Sequence, residues 1–306
     1  MPRTWMTFAA LWATLVYFPV AHWVFAFDSG DGAVIGGWIV NDLAAVDFAG
    51  GLAVHMNAGV AALALALVLG RSAGWPTGHA KPHSPPLVLV EAGLLWAGWF
   101  GFNAGSALTA GHSAGVVFLN TAVAASAGLL AWTLVERIRL GSASSMGAAS
   151  GLISALVAIT PACGAVSPLG ALAIGLIAGA VCSLAIELKF RLGYDDSLDV
   201  VGVHLIGGII GTLLIGFFAT DQAPNGVNGL FYGGSIGLLG VQTLATVAVL
   251  VYSFAVTWMI AKGIDLAVGL RIQEEDELRG IDMAAHSEAA YLMDEEPVDL
   301  GSPNRV

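Results

Sequence analysis

The sequence predicts an all-α fold, a polytopic bundle of membrane-spanning helices. Of the 306 residues, 57% are hydrophobic and only 11% are charged, whereas about a quarter of the residues in a soluble domain carry charge. The chain also contains 40 glycines, as expected where helices pack closely in lipid. Apolar runs of the length that crosses a hydrocarbon core recur along the chain.

Eight segments are candidate membrane spans, since a span needs about 20 apolar residues. They are 5–26, 47–70, 86–109, 115–135, 147–162, 168–187, 199–219 and 234–262. The segment 147–162 is short and Pro161 ends it, and 234–262 is long enough to require tilt. The first run is too long for the apolar part of a signal peptide, and no small-residue cleavage site follows it.

The basic residues predict the orientation of the spans. With eight spans, all 11 lysines and arginines fall on one side of the membrane. The loops on the other side, 27–46, 110–114, 163–167 and 220–233, contain none. The positive-inside rule therefore places both termini in the cytoplasm. The protein is expected to span the lipid bilayer of the cell membrane several times.

Two domains are expected, a transmembrane domain over 1–262 and an acidic cytoplasmic tail over 263–306. The tail holds half of the chain's 22 acidic residues, should have some helical content, and should be disordered beyond about Asp294. The net charge of −11 does not favour nucleic-acid binding. Cys163 and Cys182 lie on different segments without metal-ligand spacing, which predicts small packed residues.

Two histidines lie inside the apolar segments, His55 in DFAGGLAVHMN and His204 in DVVGVHLIGG. A titratable ring at bilayer depth is costly and usually has a function. Each histidine follows an acidic residue, Asp47 or Asp199, and the two spans run in opposite directions. If those acidic residues mark the span ends, His55 lies about 12 Å below the outer surface and His204 about 7–8 Å above the inner one. This allows both rings to meet near the midplane of one pore.

Several polar residues near these segments also have structural interpretations. Asp47 and Asp199 both suit a helix N-cap, since each precedes an apolar run. The acidic loop 27–46 is either a vestibule that attracts cations or simply a solvated loop. Glu91 lies about five residues into the third span, where the sequence offers no function for it beyond snorkelling to the interface.

Five motifs together resemble the ammonium transporter family (Amt/Mep/Rh), in its bacterial Amt branch. They are, in order, VDFAGGLAVHMNAG, AGWFGFNAGSA, TPACG, DDSLDVVGVHLIGGIIGT and VGLRIQEEDELRGIDMAAHSEAAY, and the resemblance runs from about residue 5 to 291. Members of that family have eleven spans, form homotrimers and conduct ammonium through a pore in each subunit. The resemblance implies eight of those spans here, without the first three, so that the first inverted repeat is incomplete. A truncated gene model, a split gene or a defective paralogue would each give this pattern.

The resemblance implies roles for particular residues. His55 and His204 match the twin histidines that line the family's pore, and Asp47 matches the acidic residue that supports an outer recruitment site. Phe102 and Ser106, in GFNAGS, match an aromatic gate residue and a hydroxyl that contacts the arriving ion.

The residues of the implied path also have structural interpretations. Phe25 stands where many members have tryptophan, and phenylalanine offers a weaker cation–π face. Phe25 also suits an interfacial aromatic belt. Ser106 can instead bond its own helix backbone, Phe102 can be a packing residue, and Trp99 is expected to be one.

The implied chemistry has a simple physical basis. An apolar pore opposes a bare cation and admits neutral ammonia. Two neutral imidazoles that hydrogen-bond each other each offer a group to a passing ammonia or proton. We therefore hypothesise that ammonium binds at the outer site, loses a proton and passes the histidine pair as ammonia. A separate route for the proton would make transport electrogenic.

Three alternatives remain at this point. The first is an ammonium sensor that signals through its tail, and the resemblance implies that a P-II type signalling protein docks there. The second is a non-functional truncated paralogue. The third is an intramembrane metalloenzyme, which the sequence disfavours because HExxH is absent and a third ligand would have to be distant. We expect no enzyme activity, no metal and no cofactor.

Overall fold

The structure is a computed structural model that describes residues 2–76 and 82–288. Its main helices are α1 (Arg3–Phe25), α2 (Gly51–Leu69), α3 (Pro85–Gly105), α4 (His112–Leu140), α5 (Ser145–Ile159), α6 (Pro168–Leu192), α7 (Val201–Phe218), α8 (Ile236–Val268), α9 (Glu274–Arg279) and α10 (Ile281–His286). Seven of these helices are long and apolar enough to cross a membrane. The predicted all-helical membrane bundle is therefore confirmed.

Several helix boundaries differ from the predicted spans, and three of the differences matter for the fold. Helix α5 has only 15 residues, so the predicted span 147–162 is shorter than a usual membrane crossing. Helix α2 begins at Gly51 rather than at Asp47, since the residues between them form an irregular turn. Helix α8 continues to Val268, six residues past the predicted end at 262.

Helices α4 and α6 pack backbone to backbone through glycine. A Cβ atom added at Gly175 would lie 2.3 Å from the carbonyl oxygen of Ala124, and one at Gly179 would lie 2.3 Å from that of Gly128. Such close approach is typical of helices that associate in lipid, where small residues let backbones meet. Cys163 and Cys182 are buried and unpaired, which confirms the prediction of small packed residues.

Helix α1 is joined to α8 by two hydrogen bonds. Trp12 Nε1 donates to Thr257 Oγ1 at 3.0 Å, and the Tyr252 hydroxyl donates to the carbonyl oxygen of Leu15 at 2.7 Å. Pro19 has no N–H to donate to Leu15, four residues earlier in the helix. The tyrosine on α8 therefore supplies a donor that the proline removes from α1.

The loop between α1 and α2 is organised by its own acidic side chains. Asp28 accepts a hydrogen bond from the backbone N–H of Gly36, and Asp31 accepts from Ser29 Oγ and from Ala33 N–H. The hydrogen bond from Ser29 is the main cause of a lowered pKa of the Asp31 carboxyl, and the bond from Ala33 adds to this effect. The carboxylates thus bind the loop's own backbone, which favours the interpretation of a solvated, locally ordered loop.

One end of the bundle carries several basic residues, and we call it the basic end. Arg71 Nε donates to Gly193 O at 3.0 Å, and Arg271 Nη1 donates to Leu69 O at 3.2 Å. Glu277 of α9 binds Arg271 Nη2 at 3.2 Å and accepts from the N–H of Ala73 at 2.8 Å. The tail therefore folds back onto the end of α2.

The tail has the helical content that the sequence predicts, in α9 and α10. The predicted disorder beyond about Asp294 lies outside the described residues.

The α4–α6 contact predicts a stability difference between two glycines. Gly179→Ala should lower the free energy of unfolding by about 1–3 kcal/mol, the usual effect of overpacking, because the new methyl group meets the backbone of Gly128. Gly115→Ala, on α4 with no atom within 4 Å of the new Cβ, should be neutral or stabilising by up to about 1 kcal/mol. Thermal unfolding of the detergent-purified variants measures the difference. Equal stability of both variants would contradict the proposed contact.

Candidate functional site

The structure brings the two predicted histidines into direct contact. The Nδ1 atoms of His55 and His204 are 3.4 Å apart, and the ring centroids are 5.5 Å apart. His55 is buried and His204 is partly buried. One Nδ1 must donate and the other accept, and the tautomers decide which. Among the residues described here, His55 Nε2 is buried without a hydrogen-bond partner.

Both histidines lie in π-helical turns at the beginning of their helices. His55 lies in Gly51–Met56 and His204 in Val201–Leu205. Such turns are rare, and they recur at functional sites. The sequence carries no recognisable signal for them, so this feature could not be predicted.

Glycines let α2 and α7 cross closely beside the histidines. Gly59, four residues after His55, has no room for a Cβ atom, which would lie 2.4 Å from the backbone nitrogen of Leu205. Gly208, four residues after His204, faces Met56, whose Cγ would lie 3.1 Å from such an atom. Each glycine thus faces the residue that follows the opposite histidine, and the contact is reciprocal.

Asp47 caps the beginning of α2. Its Oδ1 accepts from the N–H groups of Gly50 and Gly51 at 2.8 and 2.7 Å, and its Oδ2 accepts from those of Leu52 and Ala53 at 2.7 and 3.3 Å. These N–H groups have no carbonyl partner at a helix start. The capping role predicted for Asp47 is therefore confirmed, and the carboxylate fixes the turn in front of His55.

Gln242 of α8 holds the residue that precedes Asp47. Its Oε1 accepts from the N–H of Val46 and its Nε2 donates to the carbonyl oxygen of Val46, both at 2.8 Å. The amide is fully buried, so these bonds are shielded from water. A lone glutamine in an apolar helix is the signal that could have pointed to this contact.

The predicted capping role of Asp199 is wrong, because Asp196 caps α7 instead. Asp196 accepts from the N–H groups of Val200 and Val201 at 3.0 and 2.7 Å. Burial raises the pKa of the Asp196 carboxyl, and these hydrogen bonds oppose that effect. Asp199 adopts a left-handed φ of 57° and accepts from Lys189 Nζ at 2.7 Å. Its carboxylate therefore belongs to an ion pair at the basic end.

Trp99 does more than the predicted packing. Its ring stacks on His55 with a centroid distance of 5.3 Å and an interplanar angle of 23°. Its Nε1 donates to Thr160 Oγ1 at 3.0 Å, and that hydroxyl donates to Leu156 O at 2.7 Å. Thr160 also ends α5, directly before Pro161, the residue predicted to end this span. The His55 ring therefore stacks on a tryptophan that is itself held by a hydrogen bond.

The remaining predicted site residues lie further from the pair. The ring of Phe102 is 6.2 Å from that of His55 between centroids. Ser106 Oγ donates to the carbonyl oxygen of Phe102 at 2.9 Å, the backbone bond foreseen as an alternative. Phe25, at the end of α1, packs against the apolar cluster that includes Val24 and Leu52.

A cavity of about 670 Å³ adjoins the histidine pair. Its lining residues are Val54, His55, Glu91, Leu94, Leu95, Gly98, Trp99 and Phe102. Six of them lie on α3 and share one helix face, since their spacing is three or four residues. Within the described parts of the chain, no group of three or more His, Cys, Asp or Glu is placed to hold a metal ion.

Fold and site together define a multi-pass membrane protein with an imidazole pair at the crossing of two antiparallel helices. The chain belongs to the ammonium transporter family, because the pattern described as Ammonium Transporter Family matches residues 3–291. The family predicted from the motifs is therefore confirmed.

Individual relatives agree with this membership. An ammonium transporter of Mycobacterium tuberculosis is 57% identical over 293 residues, which are 94% of this chain and 61% of that protein. The crystal structure of Candida albicans Mep2 has a TM-score of 0.77 at 35% identity, over 89% of this chain and 60% of the other. A solved sensor Amt protein has a TM-score of 0.74 at 30% identity, over 83% and 63%. The chain thus spans about three fifths of the length of these relatives.

The reciprocal glycine contact predicts unequal effects of two matched substitutions. Gly59→Ala should lower the free energy of unfolding by about 1–3 kcal/mol and separate the rings, since its methyl group meets backbone. Gly208→Ala should have a smaller effect, because the nearest atoms, Cγ and the backbone nitrogen of Met56, would lie 3.1 and 3.2 Å from the new Cβ atom rather than 2.4 Å. Thermal unfolding in detergent and histidine ring signals in NMR spectra provide the measurement. A larger effect at Gly208 would contradict the geometry.

Proposed function

We propose that this protein moves ammonium across the membrane in the form of ammonia, with His55 and His204 at the narrow part of the path. The observation that carries the proposal is the 3.4 Å contact between the two Nδ1 atoms. The pair lies between antiparallel helices, and His55 also borders an apolar cavity. Membership of the ammonium transporter family gives the proposal its substrate.

Desolvation explains why the neutral form passes. A bare cation in apolar surroundings loses its hydration without compensation, whereas ammonia loses far less. Because one ring nitrogen of each histidine is used in the contact between them, the other is left to accept from or donate to the passing molecule. His55 Nε2, buried without a partner among the described residues, is such an atom.

The outer site is proposed at Phe102 and Ser106, with Phe25 and Asp47 in supporting roles. Ser106 Oγ uses its hydrogen for the Phe102 carbonyl, so its lone pairs remain to accept from an ammonium N–H. The ring face of Phe102 offers a cation–π contact, and Phe25 a further, weaker one. The Asp47 carboxylate acts on the site by fixing the α2 turn, since both oxygens already accept from backbone.

The proposal also covers the path of the released proton, the oligomeric state and the membrane topology. Ammonium loses its proton at the outer site, and that proton takes a separate path. The protein is a homotrimer in the cell membrane, with a transmembrane domain over 1–262 and a tail over 263–306. Both termini are cytoplasmic, in support of which Arg71, Lys189 and Arg271 all lie at the basic end.

The histidine pair is tested by matched alanine variants. His55→Ala and His204→Ala should each reduce ammonium-specific flux at least about tenfold, equivalent to about 1.4 kcal/mol in the barrier, or admit other cations. His22→Ala, at an exposed histidine of α1, is the control and should retain flux. Proteoliposomes with labelled ammonium and with potassium measure both properties. Unchanged flux and selectivity in His55→Ala would refute the proposal.

A second candidate function is an ammonium sensor that signals through the tail, with a P-II type protein as partner. Two observations favour it. Glu277 and Arg271 tie the tail to the end of α2, the helix that carries His55. A sensor Amt protein is also among the solved structures that resemble this chain.

Deletion of the tail separates the two functions. Because α8 continues to Val268, and both Ile264 and Leu270 belong to the apolar cluster shared with α1, the deletion should cover 271–306 rather than begin at 263. A transporter should keep ammonium flux after this deletion, whereas a sensor should lose partner binding and signalling. Flux in proteoliposomes and pull-down of a P-II protein give the two readouts. Glu277→Gln, which weakens only the contact with Ala73 and Arg271, is the milder companion variant.

A further inference from the structure

Glu91 is the polar residue of the cavity that the transport path described above does not use. It lies six residues from the first residue of α3, Pro85, about 9 Å along the helix axis. Its neighbours on the same face, Leu94 and Leu95, are apolar and exposed. In the described chain, no hydrogen bond or ion pair engages the Glu91 carboxyl.

A carboxyl at this depth needs a polar partner. Ionisable groups within membrane spans almost always face a water-filled path or an opposite charge, because lipid solvates them poorly. Glu91 lines the same cavity as His55, whose Nε2 has no partner among the described residues and which is only 4% exposed. The lining of the cavity thus includes both an acid and a histidine whose Nε2 has no partner among the described residues.

The order of residues along α3 places Glu91 at the inner end of the cavity. Helix α3 begins at the basic end, because it follows the loop after Leu69 of α2. Glu91 lies eight residues before Trp99, which stacks on His55, and hence about 12 Å closer to the basic end. Ser106 lies on the opposite side of Trp99. The carboxyl and the outer site therefore flank the histidine pair.

We propose that Glu91 forms an inner ammonium site, which receives ammonia after it passes the histidine pair. This inference rests on the function proposed above. In its protonated form the carboxyl transfers its proton to ammonia, so that an O–H bond breaks, an N–H bond forms, and a carboxylate and an ammonium ion result. The ion pair forms charge-assisted hydrogen bonds of N–H to carboxylate. Release of ammonium to the cytoplasm is followed by protonation of the carboxylate from solvent.

Occupancy of the site is tested by carboxyl modification without any transport. The full chain in detergent is treated with dicyclohexylcarbodiimide, and peptide mass spectrometry measures the fraction of Glu91 that stays unmodified. Ammonium chloride should increase that fraction at least about twofold, whereas sodium chloride at the same concentration should not. Glu91→Gln supplies the unlabelled reference peptide. Absence of labelling, absence of protection, or equal protection by sodium would each overturn the proposal.

The functional role is tested by a matched pair of amide variants. Glu91→Gln keeps the shape but cannot transfer a proton, and it should reduce ammonium flux several-fold with unchanged thermal unfolding. Asp221→Asn, in an exposed loop, should retain flux. Flux in Glu91→Gln equal to that of the unmodified protein would overturn the inner site.

The two proposals can fail separately. Protection of Glu91 by ammonium in the His55→Ala variant reports on the inner site alone, while flux in that variant reports on the histidine pair alone. Protection together with unaffected flux in His55→Ala would refute the proposed pathway and support the carboxyl site. Lost flux without protection would do the reverse.

Discussion

The close crossing of α2 and α7 is the constraint on which the candidate site depends. Two imidazoles can share a hydrogen bond only if their helices approach to within the reach of both side chains. Gly59 and Gly208 allow this approach, because the helix backbones meet where a Cβ atom would intrude. The position of each glycine, four residues after a histidine, keeps the contact on the same helix face. Packing and chemistry are therefore specified by the same short segments.

Around this crossing, fixed polar contacts hold both helix starts. Asp47 accepts hydrogen bonds from backbone N–H groups at the beginning of α2, which carries His55, and Asp196 does the same at the beginning of α7, which carries His204. Gln242 ties the turn before α2 to α8, and Trp99 supports one face of the His55 ring. Because these contacts lie in apolar surroundings, where unpaired polar groups are costly, each of them favours one arrangement over alternatives. The pair is thus preorganised by its surroundings.

Much of this site follows from sequence, and the remainder depends on tertiary contacts. Composition and the length of the apolar runs predicted the bundle, and the opposed orientation of two spans predicted the meeting of His55 and His204. The choice between Asp196 and Asp199 as cap was missed, because local spacing cannot show which of the two carboxylates the nearby Lys189 will attract. The role of Trp99 depends on Thr160, at the end of a helix far along the chain, and a tryptophan in an apolar run has no distinguishing pattern.

The link between Pro19 and Tyr252 has a consequence for the evolution of the sequence. The Tyr252 hydroxyl donates to the carbonyl oxygen of Leu15, which receives no N–H from Pro19. The contribution of each of these two residues to stability therefore depends on the presence of the other. Loss of the tyrosine leaves an unfilled acceptor near lipid, whereas loss of the proline makes the hydroxyl redundant there. These two positions are distant in the chain, and substitutions at them are therefore expected to covary among related sequences.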